Sequence, residues 1–162
     1  LDSEDPIIMN ALGLAKSRCG DYKKADELLR NAHKITLVHN NNFLSSTKNK
    51  IISGASLAEN LANWAENFIK NRNYEDAEAK LKEALELSQE VIDLDKDDVK
   101  SLDLLRDIYR KTGFFYKRIN QYDLAIEYFQ KVIVKRPKRY RESKDTITAA
   151  IQLAKILHSK QK

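Results

Sequence analysis

Apolar residues recur at helical intervals along almost the whole chain. Asp5-Pro6 predicts an N-cap followed by proline at the first helical position, with Ile8, Leu12 and Ala15 behind it. Gly20-Asp21 breaks that run, and a second carries Ala25, Leu28, Leu29, Ala32, Ile35 and Leu37 as far as the polar cluster Asn40-Asn41-Asn42. A third starts near Ser45-Ser46 and holds Leu57, Leu61, Trp64, Ala65 and Phe68 before Asn71 to Asn73 interrupts. The fourth holds Ala77, Leu81, Ala84, Leu85, Val91 and Ile92. Asp97-Asp98 caps the fifth, with Leu102, Leu105, Ile108, Tyr109 and Tyr116; Asn120-Gln121 separates it from the sixth, with Ala125, Tyr128, Phe129, Val132 and Ile133. Pro137 ends that one, and a seventh is expected to bury Ile147, Ala150, Ile151, Ala154 and Leu157. The pattern predicts seven helices joined by short turns, in one domain over residues 1–162 with no dividing linker.

Composition removes the alternatives. Four Gly and two Pro among 162 residues are too few to punctuate the many turns of a sandwich or barrel. A single Cys excludes an internal disulfide, and no apolar run is long enough to span a membrane. Together with the lack of an Asn-x-Ser/Thr sequon, the lone thiol favours a reducing setting, so an intracellular, cytoplasmic protein is expected. A first residue of Leu rather than Met points to a fragment of a larger protein.

The net charge of +5 hides a strong asymmetry. Residues 73–107 carry 12 acids against 5 bases, whereas residues 131–162 carry 10 bases against 2 acids. Solvated helix faces account for most such runs; a basic C-terminal third can also steer an acidic partner.

Three stretches repeat. Gly20-Asp21-Tyr22-Lys23-Lys24-Ala25, Arg72-Asn73-Tyr74-Glu75-Asp76-Ala77 and Asn120-Gln121-Tyr122-Asp123-Leu124-Ala125 share a Tyr followed three residues later by Ala. A large apolar residue comes four further on (Leu29, Leu81, Phe129), then Ala32, Ala84 or Val132. Nine residues before each Tyr stands a small residue: Gly13, Ala65, Gly113. Each unit therefore reads as a helical hairpin. The Tyr opens the second helix and packs in the elbow, and the small residues let two backbones approach.

This pattern resembles the tetratricopeptide repeat, best in the third unit, where Gly113, Tyr116, Tyr122, Ala125, Phe129 and Pro137 all fall in place. The Tyr-to-Tyr spacings of 52 and 48 exceed the family's period of 34, as in the long-helix variants typified by kinesin light chains. The resemblance implies an all-α, right-handed superhelical solenoid: units near 5–40, 45–95 and 97–137, with a capping helix near 140–160. It also implies a concave groove that binds a peptide or helix. By the family's inner-helix positions its contacts would be Asn10 and Leu14; Asn63, Glu66 and Lys70; Arg110, Phe114 and Lys117; and Arg141 and Lys144 on the last helix. Lys70, Arg110, Lys117 and Lys144 would make one end basic, which suits an acidic peptide or a C-terminal carboxylate. The family's chaperone clamp is not reproduced: Asn10 and Leu14 stand where Lys and Asn are needed, and Asp107 where Lys is needed.

Other chemistry is weak in the sequence. Asp93, Asp95 and Asp97 have calcium-loop spacing, but Asp98 replaces the required Gly and Leu104 the bidentate Glu. Cys19 reads as a small buried filler, Trp64 as core, and Tyr22, Tyr74 and Tyr122 as packing residues. His33, His39 and His158 are dispersed, and no nucleophile or phosphate-loop motif occurs. The expectation is a non-catalytic, cofactor-free protein-binding module, the adaptor, sensor or regulatory arm of a larger protein. Two alternatives stand beside it: a nucleic-acid-binding helical domain using the basic C-terminal third, which includes the run Lys135-Arg136-Pro137-Lys138-Arg139-Tyr140-Arg141, and a scaffold that self-associates through uncapped ends.

Overall fold

The computed structural model describes residues 5–38, 46–134 and 144–160. Seven helices occupy them: α1 Pro6–Arg18, α2 Tyr22–Val38, α3 Thr47–Lys70, α4 Tyr74–Leu94, α5 Val99–Arg118, α6 Tyr122–Val134 and α7 Lys144–Lys160. No strand occurs among the described residues. This is an all-α, tetratricopeptide-like helical repeat fold. The chain forms two compact units, Leu1–Ser101 and Leu102–Lys162. The Asn40–Asn42 cluster, His39, Pro137, Arg141 and the basic run 135–141 lie outside the described residues.

The predicted punctuation is where the helices start. The Asp5 carboxylate accepts from the Ile7 N–H at 2.8 Å with Pro6 behind it, and Ser46 Oγ accepts from the Asn49 N–H at 3.3 Å. Asp98 caps α5, accepting from the Ser101 N–H at 2.9 Å and its hydroxyl at 2.5 Å. Asp95 accepts from the Asp97 N–H at 3.0 Å, so these acids serve the turn between α4 and α5.

The three intra-hairpin turns are copies of one another. α2, α4 and α6 all open on the repeated Tyr. Before each, one residue has a left-handed backbone: Gly20 (φ 81°), Arg72 (φ 62°) and Asn120 (φ 61°). Each turn closes with the same pair of bonds. Gly20 N–H reaches Ser17 O (3.0 Å) and Asp21 N–H reaches Lys16 O (3.0 Å); Arg72 and Asn73 bond Ile69 and Phe68, and Asn120 and Gln121 bond Lys117 and Tyr116. These bonds satisfy carbonyls that a helix end otherwise leaves open.

The first unit packs α1 on α2, α2 on α3 and α3 on α4, with α1 also touching α3. Its core holds Ala25, Leu29, Ala32, Leu61, Ala65, Ala77, Leu81 and Ala84, all at 0 or 1% exposure. Arg30 on α2 and Glu83 on α4 form an ion pair across this unit. In the second unit, Ala125, Phe129 and Val132 of α6 pack with Ala149 and Ile156 of α7. Arg106 of α5, 2% exposed, donates to Val132 O (3.4 Å) and to Thr146 Oγ1 of α7 (2.5 Å). One buried guanidinium thus ties three helices together.

Arg106 explains a departure on α7. The expected stripe Ile147, Ala150, Ile151, Ala154 and Leu157 is exposed, and Thr146, Ala149, Leu153 and Ile156 face inward instead. Both faces of α7 carry apolar residues, and hydrogen bonding of Thr146 to Arg106 accompanies the choice of the second. Cys19 also departs: it is exposed, at the C-cap of α1. Trp64 is half-buried, stacked on Phe68 with ring centroids 5.5 Å apart and with Lys80 Nζ 4.9 Å from its centroid. Tyr122 is 38% exposed and its hydroxyl donates to Asn120 Oδ1 at 2.9 Å, so it closes its turn more than it fills a core.

The small residues act at the hairpin crossing. A Cβ added at Gly113 would stand 2.7 Å from Phe129 Cε1, and one at Gly13 would stand 2.6 Å from Leu29 Cγ. Ala is the better helix former by about 1 kcal/mol. Overpacking a buried ring costs about 1–3 kcal/mol and outweighs it. Gly113→Ala should therefore lower stability by about 1 kcal/mol, read as a lower urea midpoint with an unchanged slope; an unchanged or higher midpoint would show that the crossing has slack.

Candidate functional site

The sequence-predicted contacts fall in both units and have different surroundings. In the first unit, Asn10 of α1 is buried at 9% exposure and its Oδ1 has no hydrogen-bond partner. Leu14, one turn on, is half-exposed. On α3, Asn63 and Glu66 are half-buried and Lys70 is exposed in the last turn. In the second unit, Arg110 forms an ion pair with Asp107 and lies 6.0 Å from the ring of Phe114. Phe114 meets Phe129 edge-on, with centroids 5.3 Å apart. Lys117 Nζ donates to Gln152 Oε1 on α7 at 2.6 Å, and Lys144 is exposed at the start of α7. The second unit thus brings Arg110 and Phe114 together and sets Lys117 against α7. Arg141 lies outside the described residues.

These charges are not equally available. Asp107 takes up much of the Arg110 charge and also pairs with Lys111 at 3.5 Å. Lys117 is held by a neutral amide, and no carboxylate among the described residues pairs with it. Its ammonium faces a neutral partner rather than a carboxylate.

A second feature went unnoticed in the sequence. Pro6, Ile7 and Asn10 of α1, Thr36 of α2, and Asn49, Ile52 and Ser53 of α3 line an open cavity of about 120 Å³ in the first unit. Beside it runs a polar chain. His33 Nδ1 lies 2.9 Å from Ser53 Oγ, which lies 3.0 Å from Thr36 Oγ1, and Thr36 Oγ1 donates to His33 O at 2.7 Å. Thr36 is 3% and Ser53 3% exposed, so these hydroxyls satisfy one another in place of water. Ser and Thr at these positions read as ordinary helix residues in the sequence. Their only signal is that they replace apolar residues on a buried stripe.

Residues 108–133 match the family model of the tetratricopeptide repeat. That segment is similar to a tetratricopeptide repeat. The matched segment holds the core of the third hairpin, from Ile108 through Gly113 and Phe129 to Ile133. No curated protein matches the sequence. Tetratricopeptide repeats are non-catalytic units that mediate protein–protein interactions. Among the described residues, no group of three or more His, Cys, Asp or Glu is arranged to hold a metal, and no helix is long and apolar enough to cross a membrane.

Burial holds the His33 ring below its ordinary pKa of 6.5, opposed by the Glu90 charge. The unfolded chain then takes up the proton first as pH falls. Stability tied to neutral His33 is complete above about pH 6.5 and is lost as pH drops toward the lowered folded value. Wild type should lose more stability between pH 7 and pH 5 than His33→Gln, measured by urea midpoints. Parallel losses would show that the ring does not couple to folding.

Proposed function

We propose that the chain is a docking module whose tetratricopeptide-like hairpins hold an acidic peptide, or a peptide's C-terminal carboxylate, as the adaptor or regulatory arm of a larger protein. The observation that carries this is Lys117. It sits in the matched repeat, on the first helix of its hairpin, with its charge turned to a neutral partner. Arg110, Phe114 and Lys144 supply a second cation, an apolar contact and an exposed cation in the same unit. A peptide acid meeting Lys117 exchanges a neutral hydrogen bond for a charge-assisted one, which is about twice as strong. Nothing in this arrangement supplies a nucleophile with a base, so binding rather than turnover is its use.

The full chain should retain acidic peptides from a mixed pool in preference to basic ones, and Lys117→Glu should weaken that binding about five- to tenfold without changing the circular dichroism spectrum. Preference for the basic pool would overturn the reading.

Self-association is a second reading, favoured by one observation. Ile147, Ile151 and Leu157 on the outer face of α7 are 45, 47 and 45% exposed, and Leu12 on α1 is 52% exposed beside exposed Ala11 and Ala15. An outer helix face is ordinarily polar, and that of α7 carries these apolar residues. A second copy that sets its α1 on this stripe would bury both apolar faces. Light scattering should then show mass rising with concentration, and Ile151→Asp should return the monomer; constant monomer mass in wild type would remove this reading.

A further inference from the structure

Three tyrosines of the second unit collect around one lysine. Tyr109 and Tyr116 stand seven residues apart on α5, about two turns along one face, and Tyr128 of α6 meets both. Tyr116 and Tyr128 are stacked, with ring centroids 5.5 Å apart and planes 17° from parallel, and Tyr109 leans on Tyr128 at 6.1 Å and 43°. All three are half-buried, so each stays partly accessible. Lys131 of α6 brings its Nζ to 4.7 Å from the Tyr128 centroid and 5.8 Å from that of Tyr109, and donates to Glu127 Oε1 at 2.6 Å. The site therefore already holds a cation, against two aromatic faces and a carboxylate, the groups that attract positive charge.

The resident cation is a loose occupant. Its side chain is 40% exposed and that of Glu127 is 53% exposed. A surface pair four residues apart contributes little, and the four-carbon stem can swing into water, where an ammonium is strongly hydrated. Its departure leaves the Glu127 carboxylate and the rings of Tyr109 and Tyr128 to an incoming group. A guanidinium suits that set better than an ammonium does. It is planar and stacks flat on an aromatic face, it is more weakly hydrated, and its fork can engage both oxygens of one carboxylate. The first unit has a similar contact, with Lys80 Nζ 4.9 Å from the Trp64 centroid and 3.2 Å from Glu83 Oε2. There the carboxylate is also paired with Arg30, so displacing Lys80 would not release it.

We propose that Tyr109, Tyr128 and Glu127 form a docking site for an arginine side chain of a binding partner, and that Lys131 is the resident stand-in, displaced when the guanidinium stacks on the rings and pairs with Glu127. The proposal rests on the reading of the chain as a protein-binding module for its biological ligand. It does not rest on the acidic contact at Lys117, because the two sites take opposite charges.

The test titrates N-acetyl-argininamide, N-acetyl-lysinamide and N-acetyl-citrullinamide into the full 162-residue chain and follows the tyrosine ring resonances. Citrulline keeps the shape of arginine and lacks its charge. The arginine amide should shift the rings of Tyr109 and Tyr128, bind about fivefold more tightly than the citrulline amide, and bind more tightly than the lysine amide. Lys131→Ala removes the competitor and should tighten the arginine amide about threefold. Equal binding of the arginine and citrulline amides, a lysine amide that binds as tightly as the arginine amide, shifts confined to other tyrosines, no shift with arginine up to tens of millimolar, or unchanged or weaker binding by a folded Lys131→Ala chain would each overturn the proposal. The wild-type comparison decides even where Lys131→Ala fails to fold. Retention of acidic peptides is measured separately, so loss of the arginine site alone leaves the acidic-peptide reading standing.

Discussion

Everything in this fold depends on how closely the two helices of a hairpin approach at their crossing. Gly13 faces Leu29, and Gly113 faces Phe129, with no room for a further carbon. Ala65, wholly buried, is the corresponding residue of the middle hairpin. The large residue opposite fills the space that the small one leaves, so the pair acts as one packing unit. Ala25, Ala77 and Ala125, all at 0% exposure, set the same close approach one turn earlier on the second helix. A crossing defined this tightly fixes which face of each helix is inner. It therefore fixes which side chains remain to be offered to a partner.

The turns serve that crossing. Each must reverse the chain within a few residues and deliver Tyr22, Tyr74 or Tyr122 to the start of the next helix. The left-handed residue and its two backbone bonds accomplish this identically three times, although the residues are Gly, Arg and Asn. Gly adopts that conformation freely and Asn tolerates it, whereas Arg is strained there by about 1 kcal/mol. Retention of the turn with an unsuitable residue shows that the packing of the hairpin dominates local preference in this segment.

The helices and their caps were legible in the sequence because helical periodicity and capping chemistry are local. The hairpin pairing was legible for a different reason: the same small-then-large signature occurs three times at fixed offsets from a Tyr. What was not legible depends on contacts between distant residues. The inward face of α7 illustrates this. Its sequence offers two apolar stripes, and the inner one includes Thr146, whose hydrogen bond to Arg106 forty residues away is invisible to periodicity. Cys19 was misjudged because a small apolar residue at a helix end can face either way, and here α1 ends with it outward. Of the candidate contacts, Arg110, Phe114 and Lys117 follow from repeat positions. The cavity at Asn10 does not, since it needs the length of α3 and the end of α2 as well as α1.

Length is the variable this chain has changed while keeping the crossing. Measured from the small residue, α3 begins eleven residues earlier than α1, and α5 seven residues earlier. At 3.6 residues per turn these are close to three turns and two turns. Whole turns return the buried stripe to the same side, so a helix can grow without rotating its inner face out of the core. Ser53 and Leu57, and Ser101 and Leu105, each four residues apart and so on one face, are all buried. The added turns of α3 carry Asn49, Ile52 and Ser53, which line a recess with Pro6, Ile7 and Asn10 of α1 and Thr36 of α2. Elongation thus changes the surface beside a hairpin while the tight crossing that defines the hairpin stays the same.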